Sequence, residues 1–511
     1  MSNTYLTPGV YVEDISKIYN MPDGSEPVAS FTGVATTGPV GVPTLITSWN
    51  AYLNTFALGQ DTAFLSNSYL AYAVYGFFQN GGKKCYVLRV TGATVSNNKI
   101  TAWSSASATS TGPLSEGSQV YGAFATSFSA KSEGTWANTK LTIEIPKATI
   151  NQSLNTFTVN IKYNGTVVET FAALGATANS VGCYADVINA QSNYVKVTTL
   201  TNNAPLSTLA SATETTPTLT FAGGTDGLAG SGSPVADEVY NASFELFDYC
   251  DDLKLMTVPG ANTTVLTALA TYCTNKKYRI AIVEGLETAT DSDMTSLRTA
   301  VDAKNAIAYY PWIKVVNPLS TSGGLISIPA CGHICGTFSR INESRGFWKS
   351  PAGTEAVLRG AVSVVKVLTQ DETDANNPIG INAIVSKPNV GVVIWGARSC
   401  NTDLPYVTDL YMYVTISKDL NEILQKFVFE PNDETLWTKA KTVCQDYLNS
   451  LYQQGALFGA NASQAFYVKC DEELNPVESR NQGKLIVEVG YASKKPAEFI
   501  ILRISHELTT V

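Results

Sequence analysis

An alternation of strand-like and helix-like segments stops one fifth of the way along the chain and resumes about 160 residues later, and this constrains the fold more than any other feature. Residues 31–35 read as a strand, residues 68–79 as a helix stopped by Asn80-Gly81-Gly82, and residues 85–90 as the next strand. The pattern then returns as strand 254–258, helix 264–272, strand 278–283, helix 293–303 and strand 306–310. Parallel strands need a crossover connection, usually a helix. Repeated units of this length therefore predict one mostly parallel sheet, covered by helices and interrupted by an insertion.

The interruption, residues 93–233, is rich in Thr, Ser, Ala and Asn, and only 13 of its 141 residues are charged. Residues 142–145, 157–163, 167–171 and 195–199 have strand composition, Asn164-Gly165-Thr166 suits a hairpin turn, and residues 181–190 give the one helical signal. Insertions succeed at exposed loops, so the block is expected to be a separate β-rich surface domain. Gly223-Gly224-Thr225-Asp226-Gly227 closes it; a phosphate loop would need a preceding strand, a Lys and a helix start at fixed spacing, and these are missing.

Both ends of the chain read as extended. Val10, Tyr11, Val12 and Glu13 form a short strand fenced by Pro8-Gly9 and Pro22-Asp23-Gly24, and Phe499, Ile500, Ile501, Leu502, Arg503 and Ile504 form a strongly β-prone run. A lone terminal strand leaves its backbone groups unpaired, so each run needs a sheet to join, in its own chain or another.

The third after residue 329 reads as α+β. Residues 329–340 suit a helix carrying Gly332 and Gly336 four apart on one face, where another backbone can approach closely. Residues 410–427 and 434–452 repeat apolar positions with helical period. The acidic run Glu430-Pro431-Asn432-Asp433-Glu434 sits where carboxylates and an Asp or Asn cap favour the second of these helices. Residues 309–315 read as one strand, and two further strands are expected at 484–489 and 498–504.

With 34 Lys and Arg against 43 Asp and Glu, the net charge of −9 gives no long-range attraction to phosphates, so direct nucleic-acid binding is not expected. No apolar run is long enough to cross a membrane, and the first residues lack a signal peptide's basic and apolar regions. A cytosolic origin is expected, and nine scattered cysteines fit free thiols there. Catalytic chemistry is sparse. Of the two histidines, neither His333 nor His506 has a triad setting. Cys331-Gly332-His333-Ile334-Cys335 resembles a metal motif in composition, yet on a helix His333 points away from the two cysteines, so buried small residues are the expectation. Asp371-Glu372-Thr373-Asp374 lacks the alternation and glycine of a calcium loop and reads as a solvated turn. No catalytic, cofactor or metal residues are assigned.

Several ordered stretches resemble contractile tail sheath proteins of phage tails and related injection particles: TPGVYVED near the start, NGGKKCYVLRV, GGTDG after the insertion, YYPWIKV, RGFWKSPAG, NPIGINAI, VIWGAR, FEPNDETLW and PAEFIILRI. The resemblance implies a structural subunit, not an enzyme, that forms stacked hexameric rings in a helical polymer around an inner tail tube. It implies contraction without ATP that drives the tube through a target envelope, with baseplate and tail terminator proteins as further partners. Assembly would occur in the bacterial host cytoplasm, ending in a virion tail or contractile particle without stable membrane insertion. The terminal runs would be arms completing a sheet in a neighbouring subunit. The expected plan is thus an N-terminal arm 1–22, an α/β domain 23–92 and 234–328, an outer β-rich insertion 93–233, an α+β C-terminal domain 329–487 and a C-terminal arm 488–511. Two other readings compete: an α/β enzyme whose site lies at the strand ends near Val258 or Val283, and a host-surface adhesin built on the insertion.

Overall fold

The computed structural model describes residues 27–116, 119–121, 127–177, 181–199, 218–227, 234–320 and 322–498. These fall into two compact units, residues 27–414 with 495–498, and residues 415–494.

The first unit is built on an eight-stranded sheet in the order Thr44–Ile46, Cys85–Arg89, Val28–Gly33, Leu253–Thr257, Ile280–Glu284, Ala306–Tyr310, Ile381–Lys387, Gly391–Trp395. The six inner strands are parallel and the two outer ones antiparallel. Every residue of Val28–Gly33, Leu253–Thr257, Ile280–Glu284 and Ala306–Tyr310 is buried. This is why these strands read as continuous apolar runs: helices cover both faces, and nothing selects for alternation.

Two expectations fail here for identifiable reasons. The run 309–315 is not one strand: the parallel strand stops at Tyr310, and Ile313–Val316 begins a separate three-stranded antiparallel sheet with Leu325–Ile328 and Ala361–Val364. Pro311 lies between them and has no N–H to continue the ladder. The main sheet also does not end before residue 329. Ile381–Lys387 pairs with Ala306–Tyr310 in parallel and Gly391–Trp395 closes the edge, so residues expected in the C-terminal domain complete the α/β layer.

A second eight-stranded sheet, all of its pairs antiparallel, is drawn entirely from residues 109–222. Its core holds Phe128, Ile143, Phe157, Ile161 and Phe221, closed by Tyr184 and Ile188 of the helix Tyr184–Gln191. Thr156–Tyr163 turns into Thr166–Gly175 through Asn164 and Gly165, with φ of 50° and 79°. Positive φ at both positions is what a two-residue hairpin turn requires. Arg89 ties the two sheets together. Its buried guanidinium donates to the carbonyls of Ala35, Gly38 and Glu133 at 3.0, 2.8 and 2.9 Å, with Asp226 at 3.9 Å. Burial lowers its pKa to about 10, which still leaves it charged.

Helix Leu70–Gln79 crosses helix Cys331–Arg345 at very close range. A Cβ on Gly332 would lie 2.0 Å from the Ala73 carbonyl oxygen, and one on Gly336 would lie 2.4 Å from that of Phe77. These are the two glycines whose spacing predicted a close backbone approach.

Helix Val407–Leu424 leads from the first unit into the second. There, helix Glu434–Gln453 starts where Asp433 accepts from the Leu436 N–H at 2.8 Å, the expected capping role of the acidic run. Its buried stripe, Leu436, Trp437, Ala440, Cys444, Tyr447, Leu448 and Leu451, follows the helical period. Tyr447 donates to Asp419 at 2.6 Å. Phe466–Lys469 and Glu488–Tyr491 make a two-stranded antiparallel sheet. The second strand starts later than residue 484, because Ile486 is held in an irregular stretch by two bonds to the Asn475 side chain. The expected strand 498–504 lies outside the described residues from 499 onward.

Candidate functional site

Most of the described residues singled out for catalytic or metal potential are absorbed by packing; His506 lies outside the described residues. All nine cysteines are buried, and none is in a disulfide. His333 has neither ring nitrogen hydrogen-bonded, and burial lowers its pKa to about 4, so it is a neutral side chain wedged against Gly76. Among the described residues no group of three or more His, Cys, Asp or Glu is placed to hold a metal. Asp371 and Glu372 form the first turn of a short helix, Gln370–Asn376, rather than a solvated turn. Glu372 and Thr369 cap each other across it, and Glu372 pairs with Lys366 at 2.8 Å.

The strand ends near Val258 and Val283, where an α/β enzyme would bind its ligand, are filled. A Cβ on Gly260 would lie 2.5 Å from the Tyr69 ring, Tyr69 packs edge-on against Trp312 at 5.0 Å, and the Trp312 indole donates to the Gly285 carbonyl at 2.7 Å. Glu284, at the end of its strand, accepts from the Cys331 N–H at 3.0 Å and so caps helix Cys331–Arg345. Burial raises its carboxyl to about 7. A carboxyl titrating near neutrality has the pKa that a general acid or base needs. Here it is sealed under a helix, and burial pushes the neighbouring Cys331 thiol well above its ordinary range, which removes its nucleophilic form. The arrangement can hold a helix in place; it presents no reacting group to solvent.

Several apolar side chains and sheet edges face outward. Phe429 is fully exposed and has a φ of 73°, a left-handed conformation costly for an aromatic residue. Val428 beside it is exposed too, and the loop is held by Trp437 donating to Asn432 at 2.7 Å and Asn432 donating to the Lys484 carbonyl at 2.9 Å. Val316, Leu325 and Val362 are exposed on the three-stranded sheet. Tyr467 is exposed on Phe466–Lys469, and among the described residues its sheet has only two strands, each with an outer edge.

The arm residues expected from the sequence, Val10 to Glu13 and Phe499 to Ile504, lie outside the described residues. The chain just before the second run is described. Lys495 pairs with Asp409 at 2.5 Å and Arg398 with Glu498 at 2.8 Å. Sequence reasoning missed these pairs because their partners are 86 and 100 positions apart. It also missed Phe429, although the FEPNDETLW stretch that begins with it was singled out.

Two family profiles match consecutive parts of the chain, the phage tail sheath protein central domain over residues 240–400 and the phage tail sheath C-terminal domain over residues 401–507, together more than half of its length. The tail sheath protein of Salmonella phage ViI is 26% identical over 156 residues, 30% of this chain. The chain spans about a quarter of that relative's length, 24%. A sheath tail protein from Listeria innocua aligns with a TM-score of 0.59 at 13% identity, covering 92% of this chain and 95% of that one. The helical sheath of the anti-feeding prophage in its contracted state aligns with a TM-score of 0.56 at 21% identity, covering 99% and 100%. At these identities the two structures speak to the fold.

Proposed function

This chain belongs to the phage tail sheath family and is a structural subunit of a phage tail or contractile injection system, not an enzyme; on that footing we propose that it polymerises as stacked hexameric rings around an inner tube and contracts without ATP. The observation that carries the proposal is the unbroken succession of the two sheath domains from residue 240 to residue 507. Further support comes from the sheet Phe466–Lys469 with Glu488–Tyr491, two-stranded among the described residues, whose outer edges suit β-addition by the terminal runs 10–13 and 499–504 of neighbouring subunits. A contact between unlike surfaces that does not close on itself generates a helical polymer. A lattice with two packings that differ by a few kcal/mol per subunit stores the work of contraction in the subunits themselves. Tube, baseplate and terminator proteins complete the particle in this proposal, with assembly in the bacterial cytoplasm before contraction against a target envelope.

The test is sedimentation of the full chain against a chain ending at Glu498, over a range of concentrations. We expect large polymers from the full chain and a folded, non-polymerising subunit from the shorter one. Polymers of equal size from both would remove the C-terminal run from the assembly.

A further inference from the structure

We propose that Arg398, Tyr406 and Asp409 form a preorganised docking site for Lys495 and Glu498, an ionic anchor that fixes the chain at residues 495–498 on its own subunit. The site is built before the segment reaches it. Asn382, completely buried, accepts from the Arg398 N–H at 2.7 Å and donates to the Arg398 carbonyl at 2.7 Å, so the backbone carrying this guanidinium is clamped from both sides. The same amide donates to the Ala308 carbonyl at 3.0 Å, which ties the clamp to a fully buried strand of the main sheet. Asp409 stands in the first turn of helix Val407–Leu424 with its side chain only 2% exposed.

The segment brings one charge of each sign. Lys495 reaches Asp409 at 2.5 Å, and Glu498 takes Arg398 Nε and Nη2 on one oxygen at 3.2 and 2.8 Å. Tyr406 lies between the two cations, 5.8 Å from Lys495 Nζ and 5.7 Å from the Arg398 guanidinium. Opposite charges at two fixed points set direction as well as place, because a reversed segment would put like charges together at both ends. Pro496 between them limits the conformations that the segment must give up on docking. The anchor lies at the root of the run that the sheath proposal assigns to a neighbouring subunit, and its role in assembly rests on that proposal. The anchor itself does not.

Hydrogen exchange of the full-length protein at Ala497 and Glu498 tests it, with Glu498→Gln, Arg398→Glu and the exchanged pair Arg398→Glu with Glu498→Arg. The anchor predicts at least tenfold faster exchange in both single variants, protection restored in the exchanged pair, and faster exchange of the wild type in about 1 M salt, where exposed charges are screened within about 3 Å. Equal protection in all four proteins, or no rescue by the exchanged pair, overturns it. Polymerisation is read in parallel: irregular or absent polymers from Arg398→Glu and regular ones from the exchanged pair support a role for the anchor in assembly. A protected wild type that never polymerises would count against the sheath proposal and leave the anchor standing.

Discussion

Glu284 and His333 meet the same helix, Cys331–Arg345, and respond to pH in opposite directions. Glu284 is raised from 4.5 to about 7, so the folded state holds its proton more tightly than the unfolded chain does. Its stabilising effect is complete below about pH 4.5 and is lost as pH rises through about 7. His333 is lowered from 6.5 to about 4 by burial; its effect is complete above about pH 6.5 and is lost as pH falls towards about 4. The two slopes oppose each other between them and flatten the wild-type profile. At about 1.4 kcal/mol per unit, Glu284→Gln should gain up to about 3 kcal/mol at pH 8 and little at pH 4, while His333→Gln should steepen nothing at pH 8 and remove the acid-side loss. Urea unfolding at several pH values checks both, and parallel profiles for all three proteins would contradict the assignment. The glycines of this helix make a sharper steric prediction. Gly332→Ala sets a methyl against backbone that cannot swing aside, and should cost about 1–3 kcal/mol, whereas Gly324→Ala, whose Cβ meets nothing closer than 3.4 Å, should stay within about 0.5 kcal/mol. The Gly332 contact was legible in the sequence as two small residues four apart; the pH pair was not, because burial of a lone Glu or His leaves no local signature.

At the scale of elements, what was legible is what is encoded locally. Helix Glu434–Gln453 begins at the expected residue because Asp433 caps it and the apolar period starts at once. Asp433→Ala should therefore cost about 1 kcal/mol, measurable by denaturant midpoint, with helix Glu434–Gln453 as the first element to lose amide protection. The parallel strands were legible as apolar runs between helices. The membership of Ile381–Lys387 in the same sheet was not, since its partner strand lies some 70 residues earlier and pairing leaves no mark on either sequence. The break at Pro311 had a signal, a proline within a strand-like run, that apolar content outweighed. Phe429 gives the element-scale prediction for assembly. Its backbone strain and full exposure serve nothing within the described residues of its own unit, and strained positions persist where surrounding structure over-determines them. Phe429→Asn, which tolerates that conformation, should leave the subunit as stable or more stable by up to about 1 kcal/mol while weakening polymerisation. A loss of stability with unchanged polymerisation would make the residue a packing element instead.

For the molecule as a whole, the layout of a parallel-sheet layer interrupted by a charge-poor antiparallel insertion was visible in composition and periodicity, because each half is repetitive enough to declare its class. The candidate site was less visible for a physical reason: an assembly surface is made of sheet edges, exposed apolar side chains and long-range ion pairs, none of which needs a residue motif. The terminal runs 10–13 and 499–504 were expected to seek a partner sheet because neither can pair alone, and both lie outside the described residues. These parts converge on the proposal that the chain is a self-assembling sheath subunit whose polymer is held through its ends. Electron microscopy of the purified full chain beside the chain ending at Glu498 tests that claim most directly. Long hollow tubes with a regular helical repeat from the full chain, and dispersed folded particles from the shorter one, are the predicted result. Dispersed particles from both, even when the cognate inner tube is supplied as a template, would contradict it.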